Sequence, residues 1–416
     1  MKKFLSVTIF TGLLALAKML AGFIVAKAVA IYTGPSGIAI LGQLQSFNNV
    51  INSLVSAPVG NGLVKYTAKY HEEGYEKCQP WWKASIQLSI LICSITIPLL
   101  ILISHNLSTW LFNSSDYKKY IIIFALLLPL TSLGTMINSI INGQQDYKRY
   151  ITLGIISVVF STIIMLIAVH FAKLEGALIA VALQGGAIGI IMLLSSINQK
   201  WMKHLYIDTE INRGKLKDIS SYIVMAVVIA LCSPTALIII RKLLVNNTGW
   251  VLAGQWQAVW KISEAYLAVL SIALSTYFLP KLSALKTGNE VQSEVLKTFI
   301  LVLPLASAMA ITVYLFRDVA IKVIFTSEFY PARDFFLIQL IGDVIKISSW
   351  VLAFPMISQG KTRWLVSTEI TFSTLFVLTS WVLISIYGVH GANYAYLVTY
   401  TFYLFFMAIN LSKITR

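Results

Sequence analysis

Apolar runs of about the length needed to cross a bilayer recur along this chain from end to end. They fall at 4–32, 37–66, 84–104, 119–142, 150–172, 175–199, 219–245, 250–280, 297–316, 333–358, 364–387 and 390–412. With 57% hydrophobic residues, 12% charged residues and a mean hydropathy of +0.78 over 416 residues, the composition is that of a polytopic membrane protein. The expectation is an all-α fold of 12 transmembrane helices. The first run follows Met1-Lys2-Lys3 like a signal peptide, but it is too long and lacks an evident small-residue cleavage site, so it reads as an uncleaved span. Breaks inside the runs, at Ser56-Ala57-Pro58-Val59-Gly60-Asn61-Gly62 and Ser233-Pro234, predict kinks where neighbours or cavity water satisfy the freed backbone.

The two halves of the chain share an ordered series of matches. Thr33-Gly34 followed by Gly42-Gln43-Leu44-Gln45 corresponds, with a gap of three, to Thr248-Gly249 followed by Gly254-Gln255-Trp256-Gln257. Lys65-Tyr66-Thr67-Ala68 resembles Lys281-Leu282-Ser283-Ala284, and Lys27 precedes Thr33 by the same six residues that separate Lys242 from Thr248. The reading is a duplication: an N-lobe at 1–199 (helices 1–6), a cytoplasmic connection at 200–218 and a C-lobe at 219–416 (helices 7–12). Duplicated transporters carry their substrate site between the repeats.

The formal charge of +15 could point to nucleic acid, but the Lys and Arg are scattered at segment ends and form no basic stripe interleaved with stacking aromatics. If the N-terminus is cytoplasmic, twenty basic residues fall on that side and six on the other, which predicts both termini in the cytoplasm. The connections 105–118 and 317–332 carry aromatics and read as outer interfacial segments, and 281–296 reads as a solvated cytoplasmic helix or loop. Cys78, Cys93 and Cys232 lack metal-ligand spacing and form no disulfide framework. His71, His105, His170, His204 and His390 lie at span ends or in connections without zinc or nucleophile-pair spacing, so neither a catalytic group nor a metal is expected. No phosphate-binding GxxxxGK[ST] loop is present, and no cofactor is expected.

Six basic residues remain inside the runs: Lys18, Lys27, Arg241, Lys242, Lys261 and Lys346. Counted from Trp250, Lys261 lies ~16 Å into its span, about the midplane of a bilayer. Only Glu264 and Asp343 share this depth, with Glu369 shallower, so about four cations lack a counterpart. Each costs about 2.5–3.5 kcal/mol at a helix centre. Such a surplus is accounted for if the counter-charge arrives with an anionic, membrane-borne substrate, and a lipid-linked phosphate or pyrophosphate fits. Competing readings stand beside this one. Lys27 and Lys242 could snorkel to the interface, whereas Lys261 with Glu264 and Asp343 with Lys346 could be internal ion pairs that lock helices. Glu264 or Asp343 could instead carry a coupling proton. Trp256, Trp260, Tyr266 and Tyr277 could stack on sugar rings or simply pack. Gln43, Gln45, Asn48, Asn49, Asn52, Gln255 and Gln257 could bond sugar hydroxyls or join helices to one another.

The segments 34–73 (GPSGIAILGQLQSFNNVINSLVSAPVGNGLVKYTAKYHEE), 254–267 (GQWQAVWKISEAYL), 275–285 (STYFLPKLSAL) and 317–350 resemble Wzx-type polysaccharide flippases of the multidrug/oligosaccharidyl-lipid/polysaccharide exporter superfamily. Within that family the chain is most similar to flippases of the enterobacterial common antigen and O-antigen pathways. The resemblance implies two six-helix lobes around a central cavity in the bacterial inner membrane. It also implies transport of undecaprenyl-pyrophosphate-linked oligosaccharides to the periplasmic leaflet by alternating access, with a polymerase and a chain-length regulator as partners. It further implies that the family's basic cavity residues map onto Lys18, Lys27, Arg241 and Lys261. Rival readings are a cation-coupled multidrug antiporter of the same superfamily, for which an acidic cavity is expected; a lipid II flippase, with two further helices; and a membrane-embedded polymerase or glycosyltransferase, with a catalytic outer loop.

Overall fold

A computed structural model of the chain describes residues 2–205, 213–285 and 287–415. Residues 206–212 of the expected connection, and Lys286 and Arg416 of the basic count, lie outside the described residues. The helices are α1 (Lys2–Ser56), α2 (Asn61–Tyr70), α3 (Tyr75–Phe112), α4 (Lys118–Gly143), α5 (Tyr147–Ser196), α6 (Arg213–Ala273), α7 (Leu279–Ala284), α8 (Gly288–Leu315), α9 (Arg317–Ile324), α10 (Phe336–Ser358), α11 (Thr362–Tyr387) and α12 (His390–Thr415). No strand occurs among the described residues.

Nine helical stretches among the described residues are long and apolar enough to cross a membrane. Three of these are too long for one crossing: Thr11–Glu73 with 63 residues, Tyr147–Ser196 with 50 and Ala230–Ala284 with 55. At ~1.5 Å per residue each exceeds twice the thickness of a ~30 Å hydrocarbon layer. Each also contains non-helical backbone, at Gly34 (φ 60°, ψ −164°), at Ala172 and Lys173, and at Gly249 (φ 83°, ψ 170°). The matched Thr-Gly pairs of the two halves thus share one unusual backbone conformation, which a side chain resists and glycine allows.

The expected break after Ser56 is a tight turn at Ala57–Val59 containing Pro58, whereas Pro234 sits within α6 with no non-helical residue beside it. A short stretch of wider helical turn at Leu274–Phe278 precedes Pro280, whose ring and missing N–H disturb a regular helix. Around the expected solvated stretch 281–296, Thr287 and Glu290 cap α8 reciprocally and Lys281 pairs with Glu294. In the expected outer segments, α3 continues to Phe112 and stops at a left-handed Asn113, while α9 leads into tight turns over Ser327–Phe335.

Two compact units emerge. The first holds residues 1–28 and 43–235, the second 29–42 and 236–416. In the first, Val59, Leu63, Trp82, Ile137, Ile140 and Trp201 belong to a buried core, and the Trp82 indole N–H donates to Thr67 Oγ1 at 2.8 Å. Gly134 on α4 and Gly189 on α5 face each other so closely that a Cβ at Gly134 would lie 2.7 Å from the Gly189 Cα. In the second unit α10 packs against α8 and α12. Gly342 lets α12 approach, since a Cβ there would fall 2.5 Å from the Tyr396 ring. Large aliphatic and aromatic side chains such as Leu102, Phe171, Ile300 and Ile409 stand exposed, as expected of a surface solvated by lipid.

Candidate functional site

Each unit carries a polar centre of its own. In the first unit a cavity of about 490 Å³ opens between α1, α4 and α5. Gln45, Asn48, Asn49, Asn52, Ser53 and Ser56 reach it from α1, on a stripe of three- and four-residue steps. The facing helices supply Thr131, Thr135 and Asn138 from α4 and Gln184 from α5. None of its lining residues is charged. The volume is in the range of small-molecule sites, but the lining is richer in amides than most.

The amides differ in how far they are committed. Asn48 is 5% exposed and spends its Nδ2 on the Val181 carbonyl at 3.3 Å, while its Oδ1 is buried with no partner. Asn52 Oδ1 is likewise buried and unpartnered. The Thr131 and Thr135 hydroxyls donate to the Leu127 and Thr131 carbonyls, at 3.1 and 3.0 Å, and so offer the cavity only lone pairs. Gln43, on the same helix, is fully buried and donates to the Leu111 carbonyl at 3.4 Å instead of opening onto the cavity.

The second unit holds a network centred on α10. Asp343 is fully buried and accepts from Tyr396 at 2.7 Å, Tyr266 at 2.8 Å and Gln339 at 3.2 Å, and Gln339 in turn accepts from Asn393 at 2.9 Å. One turn along, the Lys346 ammonium lies 5.0–5.3 Å from the ring centroids of Trp260, Trp350, Tyr396 and Tyr400. Four aromatic faces thus surround a buried cation, a favourable arrangement for an ammonium that has left water. Among the described residues no ion pair within 4 Å joins Asp343 to Lys346 or Glu264 to Lys261. Exposed Glu264 accepts from the Trp260 indole at 2.8 Å, and half-buried Lys261 sits three residues earlier.

The other anticipated residues take separate places. Lys18 is exposed. At 3.6 residues per turn it projects about 140–160° away from the exposed ridge of Leu13, Leu16 and Leu20 on the same helix. Lys27 and Lys242 are half-buried. Buried Arg241 donates through Nε and an Nη to Gln257 Oε1, at 2.9 and 2.7 Å. Gln255 donates to the Glu328 carbonyl at 2.6 Å. Trp256 is fully buried, Trp260 nearly so, and Tyr277 is exposed beside Lys281. Asn138 and Gln184 are cavity residues, and Tyr396 and Tyr400 cage residues, that the sequence alone does not single out. Their signals are faint: isolated amides in the apolar runs 119–142 and 175–199, and two tyrosines spaced i, i+4.

A family model described as polysaccharide biosynthesis protein matches residues 76–334. The lipid III flippases of Escherichia coli (strain K12) and Shigella flexneri are each 28% identical over 397 residues, covering 95% of this chain and 95% of theirs. Among solved structures, an inward-facing multidrug resistance MATE family transporter of the MOP superfamily superposes with a TM-score of 0.81. It shares 14% identity over 99% of this chain and 98% of its own, a likeness of fold. The matched region covers well over half the sequence, so the chain belongs to the polysaccharide biosynthesis protein family.

Proposed function

We propose that this chain is a flippase of the bacterial inner membrane. It moves an undecaprenyl-pyrophosphate-linked oligosaccharide, a repeat unit of O-antigen or enterobacterial common antigen, from the cytoplasmic to the periplasmic leaflet by alternating access. In this reading 1–199 and 219–416 are the two repeats, and the three over-long helices each cross twice, making twelve crossings with both termini cytoplasmic. The protein is a transporter, not an enzyme, and hands its cargo to a polymerase and chain-length regulator.

The observation that carries the reading is electrostatic. Lys18 and Lys261 lie within membrane-spanning stretches, and among the described residues neither has a carboxylate within 4 Å, whereas Lys346 is already enclosed by its four rings. Cations at that depth are costly enough that the cargo's phosphates are the natural source of the missing charge. The end-to-end similarity to proteins named lipid III flippases supports the same cargo class. Organic cations, the cargo of the rival antiporter, would meet like charge.

Depletion of the protein in its host tests this directly. The lipid-linked saccharide should accumulate with its glycan on the cytoplasmic leaflet. A Lys18→Gln/Lys261→Gln variant, present at normal level, should restore export at least tenfold less well than the unaltered chain. Full export by that variant would overturn the assignment.

A further inference from the structure

The cavity of the first unit has no part in the charge balance just described, since its lining is neutral throughout. Its innermost groups are also unusual in what they leave unsatisfied. A buried amide oxygen without a partner is costly, and two occur here within one turn of α1, at Asn48 and Asn52. Asn48 cannot relieve this by reversing its amide, because the Nδ2 is committed to the Val181 carbonyl. Thr131 and Thr135 have likewise spent their hydroxyl protons on their own helix. These groups can only accept, while the amides of Gln45, Asn49, Asn138 and Gln184 in the same lining can both accept and donate.

A phosphate or carboxylate finds no counter-charge in this lining, and desolvating it there is unfavourable. Sugar hydroxyls and an acetamido group both donate and accept, which matches a lining of amides and hydroxyls. Gly185 keeps the opposite side clear, for a Cβ there would lie 2.5 Å from Thr131 Oγ1.

We infer that this cavity is a subsite for one uncharged sugar residue of the cargo, a hexose or N-acetylhexosamine, held by hydrogen bonds to the amide lining to which Asn48 and Asn52 belong. The pyrophosphate is received elsewhere. This inference rests on the flippase reading and adds where, and by what chemistry, the glycan is selected.

The test uses the full chain in nanodiscs and three probes: undecaprenyl pyrophosphate, the same lipid carrying one N-acetylglucosamine, and the same lipid carrying one glucuronic acid. The unaltered protein should bind the N-acetylglucosamine lipid about tenfold tighter than the other two, the equivalent of two modest neutral hydrogen bonds. Asn48→Ala/Asn52→Ala should abolish that preference and leave affinity for bare undecaprenyl pyrophosphate unchanged. Asn49→Lys alters an exposed lining residue and so spares the fold; it should raise affinity for the glucuronic acid lipid severalfold. Binding of all three lipids with no discrimination, or a preference that survives the double substitution, would overturn the subsite alone. Binding of none of them would overturn the flippase reading with it.

Discussion

The register that pairs Gly42-Gln43 with Gly254-Gln255 also pairs Asn48, Asn49 and Asn52 with Trp260, Lys261 and Glu264. In the first unit these positions are amides lining an open cavity, two of them with an unpartnered oxygen. In the second, Trp260 forms part of the Lys346 cage and donates to Glu264, and the adjoining Asp343 has three donors. Not everything has diverged. Gln43 and Gln255 both donate to a backbone carbonyl in their own unit, at Leu111 and Glu328. At these positions the first repeat keeps amides around a cavity, whereas the second ties Trp260 into a network with Glu264 and the Lys346 cage and leaves Lys261 without a carboxylate partner. Unsatisfied groups embody a cost that a ligand can repay, whereas a satisfied network is already stabilised without one.

The largest expected consequence falls on the second unit. Asp343→Ala orphans the two tyrosine hydroxyls and the Gln339 amide, at a cost on the order of 3 kcal/mol. Thermal unfolding of the purified protein should show a clear drop in midpoint, partly reversed in Asp343→Asn, which keeps an acceptor. Asn48→Ala gives up one long hydrogen bond and should cost at most about 1 kcal/mol. Its loss should appear in export. Equal destabilisation by the two alanine substitutions would erase the distinction between a structural network and a ligand cavity.

Much of the fold is legible in the sequence because span length and hydropathy are properties of continuous chain. The breaks at Gly34 and Gly249 are marked by the matched Thr-Gly pairs, whereas the turn at Pro58 announces itself by composition. The site is legible only where it follows a single helix. Asn48 and its neighbours form a readable stripe, but Asn138 and Gln184 come to it from helices some 90 and 136 residues further on. Asp343 and Lys346 stand three residues apart and invite pairing, but Asp343 turns to Tyr266 and Tyr396 while Lys346 enters rings from α6, α10 and α12. Spacing tells which residues share a face of one helix; it does not tell what that face meets.

A middle-sized effect compares how the two units bring their helices together. A Cβ at Gly189 would run into the Leu130 carbonyl of α4, which is backbone and cannot turn aside. A Cβ at Gly342 would meet the Tyr396 ring, which can rotate only by giving up its bond to Asp343. Overpacking costs about 1–3 kcal/mol. Gly189→Ala should lie at the upper end of that range and narrow or misalign the cavity, with glycan-lipid affinity falling alongside the unfolding midpoint. Gly342→Ala should lie at the lower end and leave that affinity intact. A reversed order would mean that α4 and α5 have slack which the close glycine contact does not suggest.

The smallest effect asks how faithfully the two repeats still match. Gly34 and Gly249 hold the same glycine-only conformation, so alanine at either should cost roughly 1–3 kcal/mol in backbone strain. Their surroundings differ: a Cβ at Gly34 would sit 2.7 Å from Glu328 Oε2, and one at Gly249 would have nothing within 4 Å. Glu328 is exposed and its carboxylate is the far end of a flexible chain, so moving it costs little, within about 0.5 kcal/mol. Gly34→Ala and Gly249→Ala should therefore lower the unfolding midpoint by nearly equal amounts, with Gly34→Ala slightly worse. Glu328→Ala in the Gly34→Ala background should remove the remaining difference. If Gly249→Ala were tolerated while Gly34→Ala was not, the two breaks would be alike in dihedral angle only, and the equivalence of the repeats would fail at the residue that marks it most plainly.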